Sequence, residues 1–239
     1  MNKVKFNEKK HKYTYNKVEL ISVTTFIKKY FSPFDEKAIA RKLNKMYNTK
    51  WYKMGIRNIL ALWKSQREEG TLVHKQLEMY VKYDEKMVNE IWNPKIIQGI
   101  KLYHKLFNKL EAPVSYAEVQ VYNVDWLLAG TIDLVIEHNQ ELLGKETNKR
   151  VVSIVDWKTN SKLNMNSSVF ALPPFHTLPD CNFTQYSLQL NLYALMYERQ
   201  FNVEVHGMYI AHLREDGADL IPVPDLRKQL LEVLENGMG

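Results

Sequence analysis

The sequence predicts a mixed α/β fold, in which a central mixed sheet is flanked by helices and preceded by a helical layer. Three observations carry this. Two runs rich in Val, Ile and Leu, LAGTIDLVIE from Leu128 and VVSIVDWK from Val151, are split by a polar segment with a glycine, which reads as adjacent strands of a hairpin. Helical periodicity fills much of the chain before them. A helical stretch at 183–199 and a further apolar strand at 203–212 come after.

Taken in order, residues 3–21 read as a hairpin, with Tyr13 and Tyr15 alternating and Asn16-Lys17 at the turn. Ser22 caps a helix through Thr24–Tyr30. Pro33 ends it, and Asp35 caps the next, over 36–48. Met54–Gln66 places Ile56, Ile59, Leu60 and Trp63 at helical spacing, and Gly70 separates it from a helix carrying Leu72, Val73, Gln76, Leu77 and Tyr80. Pro94 opens an amphipathic helix that Ala112-Pro113 ends. Strands follow at 115–123, 126–137 and 150–157. Residues 159–181 have no periodicity and contain three prolines, so they form a long loop of the kind that is usually functional or mobile. After the strand at 203–212, a short strand at 219–222 precedes a last helix that starts at Pro224-Asp225 and ends near Gly237. No internal repeat is present. The natural division is an N-terminal hairpin and helical region, 1–112, and a core, 113–239, within one compact unit.

With 239 residues, 45% of them hydrophobic, the chain can bury one good core. No apolar run approaches a membrane span, and MNKVKFNEKKHKY lacks a signal-peptide core, which predicts a soluble intracellular protein with no membrane partner. Cys181 is the only cysteine, excluding an internal disulfide and a cysteine zinc site. No GxxxxGK[ST] occurs, so no nucleotide cofactor is expected. The net charge of +6 is unevenly spread: residues 1–60 carry fifteen Lys and Arg against four Asp and Glu, a local +11 that leaves −5 for the rest. A basic quarter joined to an acidic remainder suits a phosphate-backbone binder, although lysine runs are ordinarily just solvated surface. Tyr30, Phe31, Tyr47, Trp51 and Tyr52 interleave with these charges and could stack on bases of a single strand or pack a helical core.

The chemistry lies in the two central runs. Asp133 sits among Ile132, Leu134, Val135 and Ile136, and Asp156 follows Val151–Val155. Burying a carboxylate without a partner is costly, so two within apolar runs call for one. Residues two apart in a strand share a face, which points Asp156 and Lys158 the same way. Two carboxylates and an ammonium so arranged suit a hard divalent cation and an activated water.

GTID followed by DWK resembles the core of the PD-(D/E)XK nuclease superfamily in its RecB-like branch. GTLVH at Gly70–His74 is similar to that branch's helix-borne GxxxH, AEVQV around Glu118 to the strand before the first Asp, and QLNLY at Gln189–Tyr193 to its QxxxY helix. The five pieces stand in the family's order across residues 70–193. SVTTFI at 22–27 is similar to a segment of mitochondrial and phage exonucleases. The lack of four cysteines separates the chain from the branch members that hold an iron–sulfur cluster.

The resemblance implies a restriction-endonuclease-like core and a Mg²⁺- or Mn²⁺-dependent deoxyribonuclease. Asp133, Asp156, His74, Glu118 and the backbone carbonyl of Trp157 would be the metal ligands. Lys158 would orient or deprotonate the attacking water, its pKa pushed down by the metal's charge. Gln189 and Tyr193, with Gln185 one turn earlier, would hydrogen-bond DNA phosphates, steady the lysine or simply pack. The expected activity is exonucleolytic on single-stranded DNA or DNA ends, with replication or recombination proteins as further partners. The alternatives are a structure-specific endonuclease of phage recombination and a DNA-binding module that has kept a nuclease fold.

Overall fold

The strand bearing Asp133 is the hub of the sheet. The computed structural model describes residues 4–7, 12–83, 92–144 and 148–236. Among these, eight strands join one mixed sheet: β1 (Lys5–Asn7), β2 (Lys12–Tyr15), β3 (Val18–Ser22), β4 (Ser115–Asn123), β5 (Leu128–Glu137), β6 (Val151–Lys158), β7 (Glu204–Leu213) and β8 (Ala218–Pro222). The order is β1-β2-β3-β5-β6-β7-β8, with β4 pairing β5 off that path. Along its length β5 is antiparallel to β4, from Ser115↔Ile136 to Asn123↔Leu128. Its other edge is shared. β3 runs parallel to its start, at Ile21↔Leu128 and Ser22↔Ala129, and β6 runs antiparallel to its end, from Leu134↔Val155 to Glu137↔Val152. Among the described residues no strand lies beside that edge between Ala129 and Leu134, and Asp133 lies at the opening.

The parallel pair β6–β7 needs a crossover, which α6 (Asn182–Phe201) provides. This helix is buried from Leu188 to Tyr197 without interruption, so it lies inside the protein and not on a wet surface. It packs with α1 (Val23–Lys28) and α7 (Arg227–Asn236) on one face of the sheet, over Ile132, Val135, Val152 and Ile154. The other face, with Leu134, Ile136, Val155 and Trp157, is covered by α3 (Ile56–Tyr83) and α4 (Pro94–Lys109). Two shorter helices are α2 (Glu36–Asn44) and α5 (Gln140–Leu143). No helix among the described residues is long and apolar enough to cross a membrane.

Helix starts follow local chemistry. Ser22 Oγ accepts from the Thr25 N–H, Asp35 Oδ1 from the Ala38 N–H and Asn93 Oδ1 from the Lys95 N–H, each relieving a donor that the first turn leaves unpaired. Helix ends depart from expectation twice. α2 stops at Asn44, not at 48, where the Asn44 side chain turns to accept from the Gly55 N–H. Gly70 separates nothing, because α3 runs through it as one helix of 28 residues. A Cβ on Gly70 would stand 2.8 Å from Thr159 Oγ1, so this glycine permits close packing within an unbroken helix.

The segment 159–181 is irregular, as its composition predicts, but it is tied down. Leu172 N–H donates to the Tyr30 carbonyl, Ser32 N–H donates to Asp180 Oδ2, and Ala171 and Phe175 are buried in the α6-side core. The expected end of the last helix near Gly237 lies outside the described residues, since α7 is described to Asn236.

Candidate functional site

Three elements converge where β5 and β6 part. On β6, Asp156 and Lys158 share a face, and Lys158 Nζ lies 2.5 Å from Asp156 Oδ2. On β5, Asp133 Oδ2 accepts from the Trp157 N–H at 2.8 Å, so a side chain replaces the strand partner the amide would otherwise want. On α3, His74 Nδ1 stands 3.3 Å from the same Asp133 oxygen. The Gly70–Thr159 contact one turn earlier draws the helix close enough for this. Trp157 itself pairs with Ala211 of β7 and buries its ring under α3 and α4.

A fourth element, α6, closes the site from the other face of the sheet. Gln189 Nε2 donates to Asp156 Oδ1 and to the Tyr193 hydroxyl, both at 3.1 Å. Gln189 and Tyr193 therefore brace the carboxylate from within a buried helix. Gln185 is half-exposed, and among the described residues no hydrogen bond joins its side chain to the site.

Glu118 and Asp133 both fall between the register pairs Ala117↔Leu134 and Val119↔Ile132, and the Glu118 φ of +54° puts a non-glycine residue in the left-handed region inside a strand. Such strain costs on the order of 1–3 kcal/mol and persists only where the surroundings over-determine it. Burial, then the nearby charges of Asp133 and Glu78, push the Glu118 carboxyl up to about 7.

The remaining groups divide by charge. Burial opposes ionisation of Asp133, but His74, Lys158 and the Trp157 N–H outweigh it and hold this carboxyl below its usual value. Asp156 goes the other way, because burial and the Asp133 charge outweigh the help from Lys158. Burial would depress the Lys158 ammonium, yet Asp156 and Asp133 overcome it and raise its pKa. Two carboxylates thus make this lysine a firmly held ammonium. For His74, burial is likewise outweighed by Asp133, which favours the imidazolium.

Carboxylate oxygens are the ligands a hard divalent cation takes, and the His74 imidazole adds a borderline nitrogen donor beside them. Asp156 Oδ2 is buried and has no well-angled hydrogen bond, only the ion contact with Lys158, so a cation there would satisfy it. As placed, however, no three His, Cys, Asp or Glu side chains among the described residues stand close enough to hold one ion. Binding would have to draw the carboxylates together against the Lys158 pair. The residues fit a metal in type, with side-chain adjustment.

Sequence reasoning missed several neighbours. The Tyr186 ring lies 4.3 Å from Lys158 Nζ, a cation–π contact whose only signal was its place one turn before Gln189. Glu78, which helical spacing already puts on the His74 face of α3, is held by Lys75 and Lys82. His212, level with Lys158 on β7, bonds through Nε2 to the Asn160 carbonyl at 2.6 Å and so pins the chain just past the lysine. Tyr13 reaches Thr131 of the GTID run with its hydroxyl at 3.1 Å.

No protein-family model matches the chain, and no curated protein matches it. Among solved structures, one from Eubacterium rectale, provisionally named an exonuclease, is similar over 86% of this chain and 81% of its own, at 14% identity and a TM-score of 0.41. A second, named SSO0001, is similar over 78% and 89% respectively, at 15% identity and a TM-score of 0.26. Likenesses this distant carry no argument about activity, which rests on the side chains.

Proposed function

We propose that the chain is a divalent-metal-dependent nuclease that hydrolyses phosphodiester bonds in DNA, acting on single strands or strand ends. One observation supports this most: a buried aspartate, a second that is mostly buried, an ammonium and an imidazole meet at a gap in the sheet, with a buried amide bracing one of the acids. A cluster built only for stability would more simply be apolar, since a buried ion pair gives little net stabilisation over hydrophobic packing.

Asp133, Asp156 and His74 would hold Mg²⁺ or Mn²⁺, with Glu118 placed to join them directly or through water. The ion would neutralise phosphate charge and lower the pKa of a bound water. Lys158, held by Asp156 and Tyr186, points an ammonium into the recess, where it can position a phosphate oxygen or the attacking water and offset developing negative charge. Gln189 fixes the orientation of Asp156, and Tyr193 fixes Gln189. The preference for strand ends rests on the helical block between β3 and β4, whose basic and aromatic residues would favour a flexible single strand.

The test is incubation with end-labelled linear and circular single-stranded DNA in Mg²⁺ or Mn²⁺. Progressive shortening of the linear strand with the circle intact is expected. Cleavage of the circle would make the chain an endonuclease, and binding without cleavage of either would make it a DNA-binding module.

A further inference from the structure

A cavity of about 540 Å³ lies beside the site, lined by Thr159 and Gly70 but by none of the charged groups described above. Gln66, Arg67 and Thr71 border it from α3, and Thr159 and Asn160 from the chain leaving β6. Its mouth is aromatic. Phe34, 65% exposed, sets its ring 5.9 Å from that of Trp63, and Trp63 meets Trp51 edge-on at 6.2 Å. Lys50 Nζ lies 4.7 Å from the Trp51 ring, and Lys95 completes the cavity wall. Arg67 and Lys95 are held in place by Glu36 and Glu69, at 2.8 and 2.7 Å.

A large aromatic ring left mostly in water costs hydrophobic free energy unless something else covers it. Here the exposed ring faces a cavity with cationic neighbours, and the basic N-terminal quarter of the chain provides the approach. Thr159 adjoins Lys158, and Gly70 and Thr71 lie within about one helical turn of His74, roughly 5 Å along α3. A nucleotide next to a phosphate at the hydrolytic site would bring its base to this mouth.

We infer that Phe34 and Trp63 form a base-stacking subsite for single-stranded nucleic acid, in which an unstacked base lies against the exposed Phe34 ring while Arg67 and Lys95 flank the backbone. The inference rests on the proposed hydrolytic site for its direction, since that site gives the strand its path. A paired base cannot enter without leaving its stack, so the subsite selects single strands over duplex. Stacking is indifferent to base identity because every base has a π-face, so little sequence preference is expected.

The test measures binding of oligo-dT and oligo-rU, each beside an abasic counterpart of equal length, with EDTA present so that nothing is cut. Phe34→Ala is expected to weaken binding of the tighter homopolymer about tenfold, within the range for loss of one base–aromatic stack. It should leave the abasic strand unchanged, and Phe34→Tyr, which keeps a ring, should bind like the parent. Equal binding of the homopolymer by parent and Phe34→Ala overturns the inference, as does an equal loss on the abasic strand. A protein that passes this test and cleaves nothing with Mn²⁺ keeps the stacking subsite and loses the hydrolytic reading; one that cleaves but shows no Phe34 effect does the reverse.

Discussion

The Tyr193 ring occupies the space that a side chain on Gly130 would need: a Cβ there would collide with Cε1 and lie 3.0 Å from both Cζ and the hydroxyl oxygen. The glycine of the GTID run and the tyrosine of the QLNLY run are therefore two halves of one contact between β5 and α6. Through Gln189, that contact reaches Asp156.

Gly130→Ala should destabilise the protein by about 1–3 kcal/mol, the usual cost of forcing extra volume into a packed core. A lower urea midpoint with unchanged slope would report it. Since the displaced ring carries Gln189 with it, cleavage should fall as well. Tyr193→Phe, which keeps the packing and loses one hydrogen bond, should cost about 1 kcal/mol.

Gly70→Ala should behave differently. Replacing glycine by alanine inside a helix favours the fold by up to about 1 kcal/mol, and the atom met by the new Cβ is the rotatable Thr159 hydroxyl. Stability should change by less than about 1 kcal/mol while cleavage drops, because the shift is passed to the residue after Lys158. A branched side chain, as in Gly70→Val, should lose both. Thermal midpoints beside initial rates separate the outcomes.

Added Mn²⁺ should raise the unfolding free energy of the parent by about 2.7 kcal/mol at a hundredfold excess over its dissociation constant, by mass action. Asp133→Asn should lose most of that increment, whatever its effect on the metal-free protein. A calorimetric or fluorescence melt with and without Mn²⁺ measures it in the absence of any substrate.

His138 should give the protein an acid-sensitive limb. Burial, then the neighbouring His206, lowers its pKa below 6.5, and its Nδ1 is buried with no hydrogen-bond partner among the described residues while Nε2 bonds Ser153 Oγ at 2.7 Å. A base whose pKa is lower folded than unfolded contributes stability above pH 6.5, and this is lost as pH falls through the folded value. His74, with its pKa raised, acts with the opposite sign, so the readout is a difference. The melting temperature of the parent should fall more steeply between pH 7 and 5 than that of His138→Gln.

Much of this arrangement was legible in the chain because it is local. Asp156 and Lys158 share a face by strand periodicity alone; Ser22 and Asp35 mark helix starts through bonds made within one turn, and Pro94 does so through its fixed φ. What depended on distant residues was not. Gly70 reads as a helix breaker until Thr159 is known to lie against it. On β5 the alternation that periodicity assumes fails at Asp133: Ile132 and Val135 pack toward α6, while Leu134 and Ile136 pack toward α3 and α4. Opposite this turn-over lies the left-handed Glu118. Tyr186 escaped notice because the partner that gives it meaning, Lys158, is 28 positions away.

The central claim is that Asp156 and Lys158 work as a pair on a phosphodiester bond. It is tested most directly by single-turnover cleavage of end-labelled single-stranded DNA in Mn²⁺ by the parent, Asp156→Ala and Lys158→Ala, with folding of each checked by its melt. The account predicts metal-dependent cleavage by the parent and a loss of a hundredfold or more in either folded variant, the scale set by removing one transition-state electrostatic partner. Cleavage by a folded Lys158→Ala at the parental rate, or a parental activity indifferent to EDTA, would contradict it.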